Sequence, residues 1–121
     1  GGEMSRVMLA IKSMTAQRNM LPTIIFDEID SGVSGLIAAK MGNILKKLSE
    51  NHQVIAITHL PQIAARGEDH IHVEKNDAGE KMQTMLRKLD SDARVEVIAR
   101  MISDEKMSDS ALEMARQLLF N

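Results

Sequence analysis

Two short apolar runs constrain this chain more than anything else in it. Thr23-Ile24-Ile25-Phe26 leads into Asp27-Glu28, and Gln53-Val54-Ile55-Ala56-Ile57-Thr58 leads into His59. Runs this short and this rich in β-branched residues are expected as strands buried on both faces, as in a parallel sheet. Between them, Leu36, Ile37, Met41, Ile44, Leu45 and Leu48 fall on one side of a helix from about Leu36 to Ser49. Strand, helix, strand within residues 23–58 implies two parallel strands joined by a right-handed crossover. Gly42 inside the helix costs about 1 kcal/mol against Ala, so a closely packed neighbour is expected there.

The other elements fit an α/β domain. Met4, Val7, Met8, Ile11 and Met14 recur at helical spacing and predict an amphipathic helix from near Glu3 to about Arg18, stopped before Pro22. Asp30 to Gly35 is a loop of capping and turning residues. A short helix is expected near Pro61 to Ala65. His70-Ile71-His72-Val73-Glu74 and Met82-Gln83-Thr84 alternate around Asn76-Asp77-Ala78-Gly79, which predicts an antiparallel hairpin at a sheet edge. Two helices follow. One spans about Asp92 to Ile102, with Val95, Ile98, Ala99 and Ile102 inward. The other starts at Ser110, with Glu113 completing a capping box, and carries Leu112, Ala115, Leu118 and Leu119.

Composition narrows the function classes. The 121 residues suit one domain, and the 44% hydrophobic content is too high for a disordered tail. A net charge of −2 gives no basic field to hold DNA or anionic lipid, so these residues are not expected to form the main grip on nucleic acid. With 2% aromatics, stacking of exposed bases is nearly excluded. Ten Met residues are expected mainly to fill a core short of rings, rather than to form an adaptable groove. Cysteine is absent, which excludes thiolate metal sites and suits a reducing cytoplasm. No apolar run reaches membrane-spanning length, so no membrane partner is expected.

Open parallel sheets bind ligands beyond the carboxyl ends of their strands. Parallel strands here put Asp27, Glu28, Thr58 and His59 at one rim. An acid pair in that place suits metal-dependent phosphate chemistry: one carboxylate for Mg²⁺ or its water shell, the other to orient or deprotonate water. The same pair is also how an ordinary loop with solvated charges begins, and a lone histidine after a strand often just bonds a loop carbonyl. His52, His70 and His72 carry no such role; a zinc site at His70 and His72 lacks a third ligand. Gly1-Gly2-Glu3 before a helix offers free N–H groups to a phosphate, although a leading Gly-Gly is also a common remnant of proteolytic cleavage. No Gly-x-x-x-x-Gly-Lys-Ser/Thr loop occurs in the chain.

In order, these pieces resemble the carboxyl-terminal half of an ABC-type ATPase head, within the P-loop NTPase class. Gly1-Gly2-Glu3-Met4-Ser5-Arg6-Val7 resembles the signature motif without its leading Leu-Ser. Thr23 to Glu28 resembles Walker B, Ser31 to Gly35 the D-loop, and Thr58-His59 the switch histidine. The wording Ile-Phe-Asp-Glu-Ile-Asp-Ser-Gly-Val-Ser-Gly, with Thr-His-Leu-Pro-Gln-Ile-Ala-Ala, resembles the RecN family of bacterial DNA repair ATPases. That resemblance covers nearly the whole chain, the hairpin and last helices less specifically. It implies that Asp27 holds the water shell of Mg²⁺, that Glu28 polarises the attacking water and that His59 contacts the γ-phosphate. It also implies that Gly1, Gly2 and Glu3 face ATP bound by a second head, with Ser31 and Ser34 along the dimer seam. Ser34 stands where transporter-type heads carry Asp.

The resemblance further implies that residues 1–121 are one lobe, partnered by an amino-terminal lobe of the same protein that carries Walker A and a coiled coil. Such a protein would act on DNA in double-strand break repair and recombination, in the cytoplasm at the nucleoid, and this lobe alone would not hydrolyse ATP. Two other readings compete: a non-catalytic interaction module, and the nucleotide-binding lobe of a transporter. The latter usually has Pro after the acid pair, where this chain has Ile29.

Overall fold

The structure is a computed structural model describing residues 2–103 and 107–121. In chain order it comprises α1 (Gly2–Asn19), β1 (Thr23–Asp27), α2 (Gly35–Leu48), β2 (Gln53–Ile57), α3 (Pro61–Ala64), β3 (Ile71–Ala78), β4 (Lys81–Lys88), α4 (Ser91–Ile102) and α5 (Asp109–Phe120). β1 and β2 pair in parallel, with Thr23 opposite Gln53 and Asp27 opposite Ile57. β3 and β4 form a separate antiparallel sheet. Among the described residues no helix is long and apolar enough to cross a membrane.

α1 stops where expected. Met20 takes a left-handed backbone (φ 51°), Leu21 N closes on Ala16 O at 3.1 Å, and Pro22 cannot continue the helix. Pro22 O then accepts from Gln53 N at 2.8 Å, so the break that ends α1 also opens the parallel pair. The first core cluster gathers Leu9, Ile24, Phe26, Ile29, Val33, Met41, Leu45 and Leu48 under this pair. Gly42 shows why glycine sits inside α2: a Cβ there would lie 2.8 Å from the backbone oxygen of Gln62, so any side chain would force α2 and α3 apart. A second cluster joins Ala65, Val95, Ile98 and Ala99 to Ala111 and Ala115, packing α4 on α5.

Several expectations about faces are corrected. The Met4-Val7-Met8-Ile11-Met14 stripe of α1 points outward, with Met4 63% and Met14 70% exposed. α1 instead buries Ser5, Leu9 and Ala16, a face roughly two fifths of a turn away at 3.6 residues per turn. β1 is buried on one face only, through Ile24 and Phe26; Ile25 is exposed, as are Ile55 and Ile57 of β2. Leu36 and Ile44 of α2 are exposed too. Methionine does not fill the core: Met41 is buried, whereas eight others, from Met4 to Met114, are exposed. The hairpin runs further than the alternation suggested, continuing through Asn76 and Asp77 and turning after Ala78. α5 is capped by Ser108, whose Oγ accepts from Ala111 N at 3.1 Å, and not by Ser110.

Arg94 of α4 closes the segment after α3. Its guanidinium donates to the carbonyls of Ala64, Gly67 and Glu68, fixing a helix end whose orphan acceptors attract a cation. His70 lies beside it with Nδ1 buried and without a hydrogen-bond partner among the described residues. Burial, then Arg94, then His72 hold the His70 pKa below the ordinary 6.5. The folded chain therefore keeps His70 neutral where the unfolded chain takes up a proton. No penalty exists well above pH 6.5, and one grows as pH falls below it. Thermal melts should show a midpoint that drops between pH 7.5 and 5.5, and His70→Leu should flatten that slope.

Candidate functional site

The parallel register brings the ionisable residues of both strands to one end of the pair. Asp27 closes β1 opposite Ile57, and Glu28 N donates to Ile57 O at 3.1 Å before the chain leaves the sheet. Glu28 then turns in the left-handed region, φ 51°, which a β-carbon makes costly by roughly 1–2 kcal/mol. The residues at this end are not sealed in hydrocarbon: Asp27, Glu28 and His59 are all exposed. An open rim with two carboxylates and an imidazole can hold a hard cation, order water and donate to a phosphate.

One residue that organises the rim carried no functional assignment from sequence. Asp30 is fully buried, and its Oδ2 receives three groups from the end of β2. The Thr58 hydroxyl donates to it, His59 N donates at 3.0 Å, and His59 Nδ1 lies 3.2 Å away. Thr58 Oγ1 in turn accepts from Leu60 N at 3.0 Å, setting the entry to α3. Asp30 read as a turn former, and its backbone is one: Val33 N bonds Asp30 O at 3.1 Å. The available signal was its place beside the apolar Ile29 directly after the acid pair, and the structure buries both.

The start of α1 leans on the loop after β1. Ser5 Oγ donates to Ser31 O at 2.9 Å, and a Cβ on Gly2 would lie 2.9 Å from Gly32 O, so only glycine permits this approach. Glu3 is exposed and sits 3.9 Å from Arg6 in an i,i+3 pair. Ser34 is the N-cap residue of α2, yet its side chain makes no capping hydrogen bond. Gly1 lies outside the described residues. Gly2, Ser5, Ser31 and Gly32 thus form one patch adjoining the rim, while His52, His70 and His72 stand apart from both. No group of three or more His, Asp or Glu side chains among the described residues is arranged to enclose a metal.

No family model matches the chain. Proteins named DNA repair protein RecN do match it. That of Vibrio cholerae is 43% identical over 119 residues, covering 98% of this chain and 22% of that protein. Those of Haemophilus influenzae and Rickettsia conorii are 40% and 44% identical over the same share of this chain. The chain therefore spans about a fifth of the length of these relatives. Among solved structures, a chain from a study of the ATP-driven dimerization and DNA-stimulated activation of SMC ATPases matches with a TM-score of 0.71. It is 20% identical, and the match covers 88% of this chain and 63% of that one. Along nearly all of its length this chain is therefore similar in sequence to part of the RecN proteins, and it shares its fold with that SMC ATPase chain.

Proposed function

We propose that residues 1–121 form the carboxyl-terminal lobe of a RecN-like ATPase head, which binds ATP between two heads and serves double-strand break repair and recombination at the nucleoid. The observation that carries this reading is the shared open end of β1 and β2, where Asp27, Glu28 and His59 meet solvent. Mg²⁺, when bound, neutralises phosphate charge during transfer. Asp27 holds its water shell. Glu28 orients and polarises the attacking water from a backbone position that is strained and therefore fixed. His59 donates to the γ-phosphate. Gly1, Gly2 and Glu3 meet the nucleotide of the opposite head, and Ser31 and Ser34 line the seam.

The phosphate-cradling loop comes from the amino-terminal lobe, because no such loop occurs in these residues. The outward stripe of α1, with Ile25, Ile55 and Ile57, is the surface that lobe covers. DNA is engaged through the intact protein, since this lobe has a net charge of −2.

Mixing the chain with the amino-terminal lobe of a RecN relative tests the reading. ATP hydrolysis should be negligible for each part and restored in the complex. A stable stoichiometric complex without turnover would replace the ATPase reading with that of a non-catalytic interaction module.

A further inference from the structure

We infer that Asp30 is a positioning residue for His59, holding the imidazole in one tautomer and one orientation at the rim. This rests on the ATPase reading for its consequence but not for its geometry. A carboxylate with no solvent exposure is expensive unless its oxygens are paired. Here a single oxygen, Oδ2, takes the Thr58 hydroxyl, His59 N and the approach of His59 Nδ1, all from two consecutive residues. Oδ1 has no partner among the described residues, so the pairing of the carboxylate is concentrated on one segment.

Two hydrogen bonds and one close approach to a single oxygen do more than close a turn. The backbone bond at 3.0 Å fixes where residue 59 leaves β2. Nδ1 stands 3.2 Å from the same oxygen without hydrogen-bond alignment, and a carboxylate, which only accepts, favours the ring form that carries its proton on the near nitrogen. Nδ1 thereby faces the buried carboxylate, and the remainder of a side chain that is 69% exposed is turned to solvent. A histidine this exposed would otherwise sample several rotamers and both tautomers. Thr58 reinforces the clamp: its hydroxyl donates to Asp30 and accepts from Leu60 N, so Asp30 also sets the chain that enters α3. The buried acid thus links the loop after β1 to the end of β2, and displacing that loop displaces His59.

Imidazole nitrogen spectra of the ¹⁵N-labelled chain test this without any nucleotide. The unsubstituted chain should show His59 with Nδ1 protonated as its dominant form. Asp30→Asn should return His59 to the mixed tautomers of a solvated imidazole, whereas Thr58→Val should leave it Nδ1-protonated. In the complex with the amino-terminal lobe, Asp30→Asn should lower kcat by roughly 10–100-fold with little change in KM, as when the partner orienting a ligating histidine is lost. Asp30→Glu should recover part of it. An unprotonated Nδ1 in the parent chain overturns the inference even if Asp30→Asn fails to fold, as does an unchanged His59 spectrum in a folded Asp30→Asn chain. Spectra as expected, with no hydrolysis by the parent complex, would refute the ATPase reading and leave the positioning of His59 intact.

Discussion

A Glu28→Gln head joined to its amino-terminal lobe should hydrolyse ATP about 10²–10⁴ times more slowly than the parent, the range general base catalysis supplies. Glutamine keeps the size of the side chain and suffers the same left-handed backbone, so folding stability should barely change. It cannot accept the proton of water at neutral pH. ATP binding should persist, and ATP-bound pairs of heads should accumulate, read by light scattering with and without nucleotide. Hydrolysis at the parental rate would remove Glu28 from the role of base. Turnover assays alongside denaturation curves separate loss of chemistry from loss of fold.

Phe26→Ala should be the most damaging single change to stability, costing about 3–5 kcal/mol. Phe26 is fully buried, the largest side chain of the first core cluster, and stands directly before Asp27. On the α1 side the ring also meets Lys12, whose ammonium lies 5.5 Å from the ring centre while donating to Ile25 O at 2.9 Å. Truncation leaves a cavity beneath the site and frees that ammonium from its apolar seat. Against a typical total of about 5–15 kcal/mol, the urea midpoint should fall by a fifth or more, or folding should fail. Ile25→Ala, one residue away on the open face, should cost less than Phe26→Ala by several-fold, since 54% of Ile25 already meets water. Equal losses at both positions would mean that the open face is covered in solution.

How far the residues alone revealed this architecture depends on what each signal measures. The crossover unit was legible because β-branched runs and a helical stripe are local facts, and parallelism follows from their order. The common rim of Asp27, Glu28 and His59 followed from parallelism in turn. The faces were harder. α1 carries two stripes, and its apolar one lies outside while Ser5, Leu9 and Ala16 go inside. Periodicity states that a face exists and is silent on which neighbour meets it. Likewise, β1 and β2 have the composition of doubly covered strands, but α1 and α2 bury only one side of this pair. Ser108 and Ser110 differ by two residues and offer the same hydroxyl; backbone geometry chose the first. Asp30 was obscured because an aspartate among glycines and serines reads as a turn residue, and only the register of β2 reveals which groups reach its side chain.

The junction between Gly2, Ser5 and the loop at Ser31-Gly32 has a mechanical consequence. α1 is a rod of 18 residues, about 27 Å long, held to that loop at its first turn and to the core further along through Leu9 and Ala16. With Lys12 bonded to Ile25 O and Pro22 O to Gln53 N, the rod is tied to both strands of the parallel pair as well as to the loop between Asp30 and Gly35. A push on any part of this helix is therefore felt at once by the loop at Ser31 and by the strand that ends in Asp27.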